Sequence, residues 1–105
     1  MLTYTRTPIN QAAAGTTIIL AASPSHNARL WYLTGSLTAN GTIALQSTTG
    51  EILIPAFEVL ADTQITIGPF ENIEHCPKAK TGRGFRLITT GNPFKGYAVM
   101  SRGDV

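Results

Sequence analysis

No stretch of this chain sustains an apolar repeat of 3.6 residues. Short apolar and β-branched runs recur instead at the roughly 8–12-residue spacing of all-β proteins, each cut off by Gly, Pro or Asn. A chain punctuated in this way cannot build a helical core and is left with sheets. A sheet must bury one face against another layer. The pattern therefore predicts an all-β fold: a two-sheet β-sandwich, jelly-roll-like, of roughly eight short antiparallel strands with an extended N-terminal arm.

Leu2, Tyr4 and Arg6 alternate with Thr3, Thr5 and Thr7 until Pro8 stops the pattern, which reads as an extended arm or an edge strand. Asn10 to Gly15 is a small-residue spacer, so residues 1–14 are set apart from a single sandwich domain at 15–105. Thr16 to Ala22 (TTIILAA) is a β-branched strand, apolar on both faces and so expected to be buried. After the turn cluster Ser23 to Asn27, the strand Arg29 to Leu37 points Trp31, Leu33 and Leu37 one way and Leu30 and Tyr32 the other.

Asn40-Gly41 is the strongest hairpin signal, because both residues tolerate the positive φ of a type I′ turn. Thr42 to Ser47 is accordingly expected to return antiparallel to the strand before it. Glu51 to Ile54 is a short apolar strand that Pro55 is expected to keep from running on as a central strand, and Phe57 to Leu60 is ambiguous between strand and helical turn. Gln64 to Ile67 alternates with Ile65 and Ile67 inward. Gly68 to Gly84 is the longest irregular stretch, and the strands Phe85 to Thr90 and Gly96 to Ser101 close the chain. The expected core is Ile18, Leu20, Trp31, Leu33, Ile43, Leu45, Ile65, Ile67, Leu87 and Val99.

At 105 residues the chain has the size of one domain. Only 13% of its residues are charged, about half the usual ~25%. That suits a surface partly covered by copies or partners. The net charge of +2 is too thin for a nucleic-acid protein. No apolar run approaches the ~20 residues of a membrane helix, and the N-terminus lacks the order of a signal peptide. The expectation is a protein made in the cytoplasm, not exported, with neither nucleic acid nor membrane as partner.

Candidate chemistry is sparse. His26, His75 and Cys76 are the only soft metal ligands, and neighbours on a strand face opposite ways, so no metal site is expected. A thiol nucleophile at Cys76 would need a signature that does not surround it. The carboxylates Glu51, Glu58, Asp62, Glu71, Glu74 and Asp104 read as solvated loop charges, since a small sandwich leaves little material for a sugar-holding cleft. Lys78 to Gly84 is basic and glycine-bearing but lacks the spacing of a phosphate-binding loop. Arg102-Gly103-Asp104 spells an integrin tripeptide, which is cheap by chance. Trp31, Tyr32, Tyr97 and Phe94 suggest a sugar-stacking platform, but Trp31 and Tyr32 are neighbours expected to face opposite ways, so core packing is favoured. No catalytic residue and no cofactor is expected.

Gly15 to Ser101 also has a wider texture. A buried strand ending in small residues (TTIILAA) precedes a basic-apolar strand (ARLWYL). A short apolar strand before a Pro (EILIPAF) follows, and then a Gly-flanked closing pair (GFRLITTGNPFKGYAVMS). In this the chain resembles capsid decoration or cement proteins of tailed double-stranded-DNA phages, and small β proteins of their tails. The resemblance implies a structural virion protein that binds the major capsid protein at capsomer junctions on the outer shell and stabilises the DNA-filled head. It carries no functional residue across. Partner contacts are expected from the arm (Leu2, Tyr4, Arg6) and the basic loop (Lys78, Lys80, Arg83). Self-association is expected too, a homotrimer before a homodimer, because Thr16 to Ala22 and Leu30 to Leu37 are apolar on both faces. The competing readings are another virion component, of tail or adsorption type, and a carbohydrate-binding sandwich module.

Overall fold

The computed structural model describes residues 3–103 and contains two antiparallel sheets packed face to face. One, sheet A, runs β1 (Thr3–Asn10), β9 (Phe94–Gly103), β3 (Asn27–Leu37), β6 (Ile65–Ile67), with the two-residue β7 (Lys78–Ala79) also on β3. The other, sheet B, runs β2 (Gly15–Leu20), β8 (Phe85–Thr90), β4 (Gly41–Ser47), β5 (Ile52–Val59). The chain crosses repeatedly between the layers, which is the winding of a jelly roll. Among the described residues the only helical element is a 3₁₀ turn at Ile73–His75.

The core lies between the sheets. Leu30, Leu33, Leu37, Phe94, Ala98 and Met100 enter it from sheet A, and Ile43, Leu45, Phe85 and Leu87 from sheet B, all at most 1% exposed. Each of these side chains larger than alanine contributes about 1.5–3 kcal/mol by leaving water. Of the expected core, Leu20, Leu33, Ile43, Leu45 and Leu87 are buried, and Ile65 and Ile67 pack half-buried against it. Ile18, Trp31 and Val99 are not in it. Ile18 is 63% exposed because it shares the outward face of β2 with Thr16, while the register shift between Ile18 and Leu20 lets Ile19 and Leu20 both be buried. A strand apolar on both faces is thus buried on one only.

The hairpin expected at Asn40-Gly41 does not form. β3 already has a neighbour on each side, β9 on one and β6 with β7 on the other, so β4 finds no free edge and joins sheet B. Asn40 serves the crossover instead: its Oδ1 accepts the Ala61 N–H at 2.8 Å. Gly41 is needed for closeness rather than for positive φ, since a Cβ there would collide with the Thr90 carbonyl. The tight hairpin is the next one, β4 to β5, closed by the Ser47 N–H on the Glu51 carbonyl at 2.9 Å. The strand bearing Pro55 is an edge strand rather than a central one, and it runs on to Val59. An edge strand tolerates a missing donor, and the register jumps here, with Ile54 opposite Leu45 but Phe57 opposite Ile43.

The described part of residues 1–14 is built into the domain, which corrects the division into arm and sandwich. Strand β1 pairs with β9 over eight residues, from Thr3 opposite Arg102 to Asn10 opposite Lys95, and Pro8 sits inside it. Of the two sequence readings, edge strand is the one realised. The spacer after it is clasped by Gln11, which is 5% exposed. Its Oε1 accepts from Thr89 Oγ1 and from the Phe94 N–H, both at 2.8 Å. Its Nε2 donates to Thr17 Oγ1 at 2.8 Å and to the Gly15 carbonyl at 3.2 Å. One amide thus joins β2 and β8 of sheet B to β9 of sheet A.

Candidate functional site

The outer face of sheet A is unlike the rest of the surface, and its origin is a single extra residue. Leu30 lies opposite Met100, but Tyr32, not Trp31, lies opposite Val99. Trp31 is therefore a bulged residue. Leu30 and Leu33 both point into the core, and the two residues between them, Trp31 and Tyr32, both line one groove on the outside. This corrects the expectation that neighbouring aromatics must oppose each other. Phe94, the fourth ring considered, is wholly buried in the core.

The groove has a volume of about 420 Å³ and is lined by Tyr4, Trp31, Tyr32, Pro69, Phe70 and Val99. Tyr4 arrives from β1, opposite Ser101. Its ring centroid is 5.7 Å from that of Trp31, with the planes 55° apart. Tyr32 and Tyr97 are related in the same way, at 5.8 Å and 57°. The Arg6 guanidinium lies 4.1 Å from the centre of the Tyr97 ring, a cation–π contact. The Trp31 indole is held in place by its Nε1–H, which donates to Ser101 Oγ at 2.7 Å.

The far wall is the segment after β6. The Phe70 N–H donates to the Trp31 carbonyl at 3.1 Å, pairing a backbone group at the bulge. Gly68 makes this approach possible. Its φ is +87°, and a Cβ there would stand 2.5 Å from the same Trp31 carbonyl oxygen.

The residues expected to bind a partner are divided by this geometry. Tyr4 and Arg6 belong to the outer face of sheet A. Leu2 lies outside the described residues. Lys78 is exposed on β7, opposite Arg29. Lys80 and Arg83 are held apart from that face by Glu51: Lys80 Nζ is 3.6 Å from one carboxylate oxygen, and Arg83 donates to the other. The Arg83 hydrogen bond holds the Glu51 carboxyl below its ordinary range against a smaller opposing effect of burial, with both cations adding attraction. Two of the three cations of the basic loop, Lys80 and Arg83, are thus tethered within the chain.

Among the described residues no three His, Cys, Asp or Glu side chains converge as a metal ion requires. Cys76 is buried and its thiol pKa is pushed up by that burial, while His75 beside it is exposed. His26 Nδ1 bonds with Ser25 Oγ at 2.9 Å. Among the described residues no helix is long and apolar enough to cross a membrane.

The sequence reading missed the pairing of Trp31 with Tyr32 on one face. The available signal was spacing: Leu30 and Leu33 are an odd number of residues apart, so both can reach the core only across a bulge.

No family model matches the chain, and no curated protein is matched either. Among solved structures, one from Bacillus endospore appendages, a family of disulfide-linked pili, is similar with a TM-score of 0.51 at 14% identity. That match covers 97% of this chain and 86% of the other. A second, the capsular polysaccharide assembling protein CapF of Staphylococcus aureus, has a TM-score of 0.33 at 11% identity, and this chain spans 23% of its length. At 14% identity the likeness to the appendage protein is one of fold.

Proposed function

We propose that this chain is a structural subunit, a jelly roll that works by packing against copies of itself and against a larger protein surface. The observation that carries the reading is the apolar surface left outside a core that is already complete. Ile18 is 63%, Ile52 66% and Leu60 64% exposed. The fold makes no use of these side chains, and each is worth about 1.5–3 kcal/mol to any interface that covers it. The sheets also end in strands with one unpaired side, β1 and β6 in sheet A, β2 and β5 in sheet B. Such edges are ready-made sites for lateral addition.

The appendage protein of like fold forms pili, which supports the use of this architecture as a building block. Its disulfide linkage does not transfer, because the single cysteine here, Cys76, is buried. Attachment in this chain is non-covalent and gains strength from multivalency.

The specific form of the proposal follows the phage resemblance. The surface is the outside of a capsid, the partner is the major capsid protein, the chain binds at capsomer junctions as a homotrimer, and its location is the virion. The test is sedimentation of the pure protein, followed by co-sedimentation with intact and emptied particles. Wild type should associate and bind, and Ile18→Asp with Ile52→Asp should fold alike yet do neither. A protein that is monomeric at high concentration and absent from particles would refute it.

A further inference from the structure

We propose that the aromatic groove on sheet A binds an acidic glycan, a chain of pyranose rings bearing carboxylates. The inference is independent of assembly. Its basis is the joint presence of an aromatic groove and of Arg6, Lys78 and Lys95 on the same face of sheet A.

The groove volume of about 420 Å³ lies in the ~300–1,000 Å³ range of ligand sites. Its rings come from three separate segments: Tyr4 from β1, Trp31 and Tyr32 from β3, Phe70 from the loop after β6. Tyr4 and Trp31 meet at 55° rather than stacking in parallel, so the groove is walled by rings set at different angles. A pyranose presents a face of C–H groups that packs on such a ring, while the tyrosine hydroxyls can donate to and accept from its own hydroxyls. The Trp31–Ser101 hydrogen bond and the Phe70–Trp31 backbone bond hold the walls before any ligand arrives.

Charge selects the kind of sugar. The outer face of sheet A presents Arg6, Lys78 and Lys95, and its strands carry no Asp or Glu; Arg102 turns away to the Ala21 carbonyl. Register sets Arg6 beside Val99, in the same row as Tyr32. Register also puts exposed Lys78 in the row of Tyr4 and Ser101, beyond Arg29, which is buried and donates to Asn27 Oδ1. The carboxylates nearest in sequence, Glu71 and Glu74, follow Phe70 on the loop beyond the strands. A carboxylated chain lying over the rings meets positive charge along its side.

Two other occupants fit less well. Packing this face on the same face of a second copy would set Arg6, Lys78 and Lys95 against their own kind. A nucleic acid presents a phosphate at every nucleotide and is bound by a dense basic surface, which a net charge of +2 does not supply.

Trp31 is the single tryptophan of the chain, so its fluorescence reports on the groove directly. The full-length protein is titrated with tetragalacturonate, with a neutral maltotetraose, and with an oligo-dT strand. The expected result is a saturable change in Trp31 emission with tetragalacturonate, weakened by added salt and weaker by about three- to fivefold in Arg6→Gln. Tyr32→Ala should abolish it. Should that variant fail to fold, Tyr4→Ala, at a position 58% exposed, carries the same test. No saturable change with tetragalacturonate, equal binding of the neutral sugar, or binding of oligo-dT alone would each overturn the proposal.

Discussion

Replacing Gln11 by methionine keeps most of the side-chain volume and removes the amide that clasps the two sheets. Its Oε1 serves the Phe94 N–H and the Thr89 hydroxyl, both at 2.8 Å. Phe94 is wholly buried and Thr89 is 2% exposed, so water does not replace the lost acceptor. Each buried group left unpaired costs about 1–3 kcal/mol. Thr17 and the Gly15 carbonyl, which receive the amide N–H groups, are half-buried and regain partners from solvent.

Two stranded groups give about 2–6 kcal/mol, and the more apolar methionine offsets about 1 kcal/mol. The middle of the range, about 3 kcal/mol, is a large share of the 5–15 kcal/mol typical of a domain. It corresponds to a fall of about 12–24 °C in Tm. The assay is urea unfolding followed by Trp31 emission and by circular dichroism, with the m-value compared between proteins. Gln11→Glu should also destabilise at neutral pH and recover partly in acid. Burial raises a carboxyl pKa, so the favourable neutral form is present at low pH and lost as pH rises. A cost below about 1 kcal/mol for Gln11→Met at unchanged m-value would refute the clasp.

Leu33→Ala should cost about 2–5 kcal/mol, and Ile65→Ala, at a half-buried site, about 1–2 kcal/mol; equal costs in chemical denaturation would contradict their placement. Glu51→Gln should loosen the segment from Lys78 to Gly84 at neutral pH, read as faster hydrogen exchange or proteolysis there. The Glu51 carboxyl is lowered in the fold by Arg83. Its tether is therefore present above the ordinary carboxylate range and lost as pH falls through the lowered value, so wild type in strong acid should behave like the variant at pH 7. Cys76, buried and with its pKa raised, should react with a thiol-exchange reagent only as fast as the fold opens; immediate stoichiometric reaction would contradict its burial.

Local chemistry made the fold class legible. Alternation at Leu33, Ile43, Leu45, Ile65, Ile67 and Leu87 and the Gly, Pro and Asn interruptions between runs are properties of neighbouring residues, and they specify strands that need a second layer. Tyr4 and Arg6 were likewise legible as members of one exposed alternating face. What remained hidden depends on residues far apart in the chain. Asn40-Gly41 is chemically fit for a hairpin, but whether β3 offers a free edge depends on β9, more than fifty residues later. Gln11 looks like part of a spacer until Thr89 and Phe94 come within hydrogen-bond reach. Lys80 and Arg83 look like free cations until the pairing of β4 with β8 brings Glu51, on the β4–β5 turn, beside them.

The groove is the sharpest case. A strand's side chains alternate by a period of two only while its ladder is unbroken, and one bulged residue reverses the facing of everything beyond it. That bulge is stabilised by contacts with β9 and with the segment after β6, through Ser101 and Phe70. No property of the Trp31-Tyr32 pair alone determines it, so only the tertiary structure could place both rings on one side.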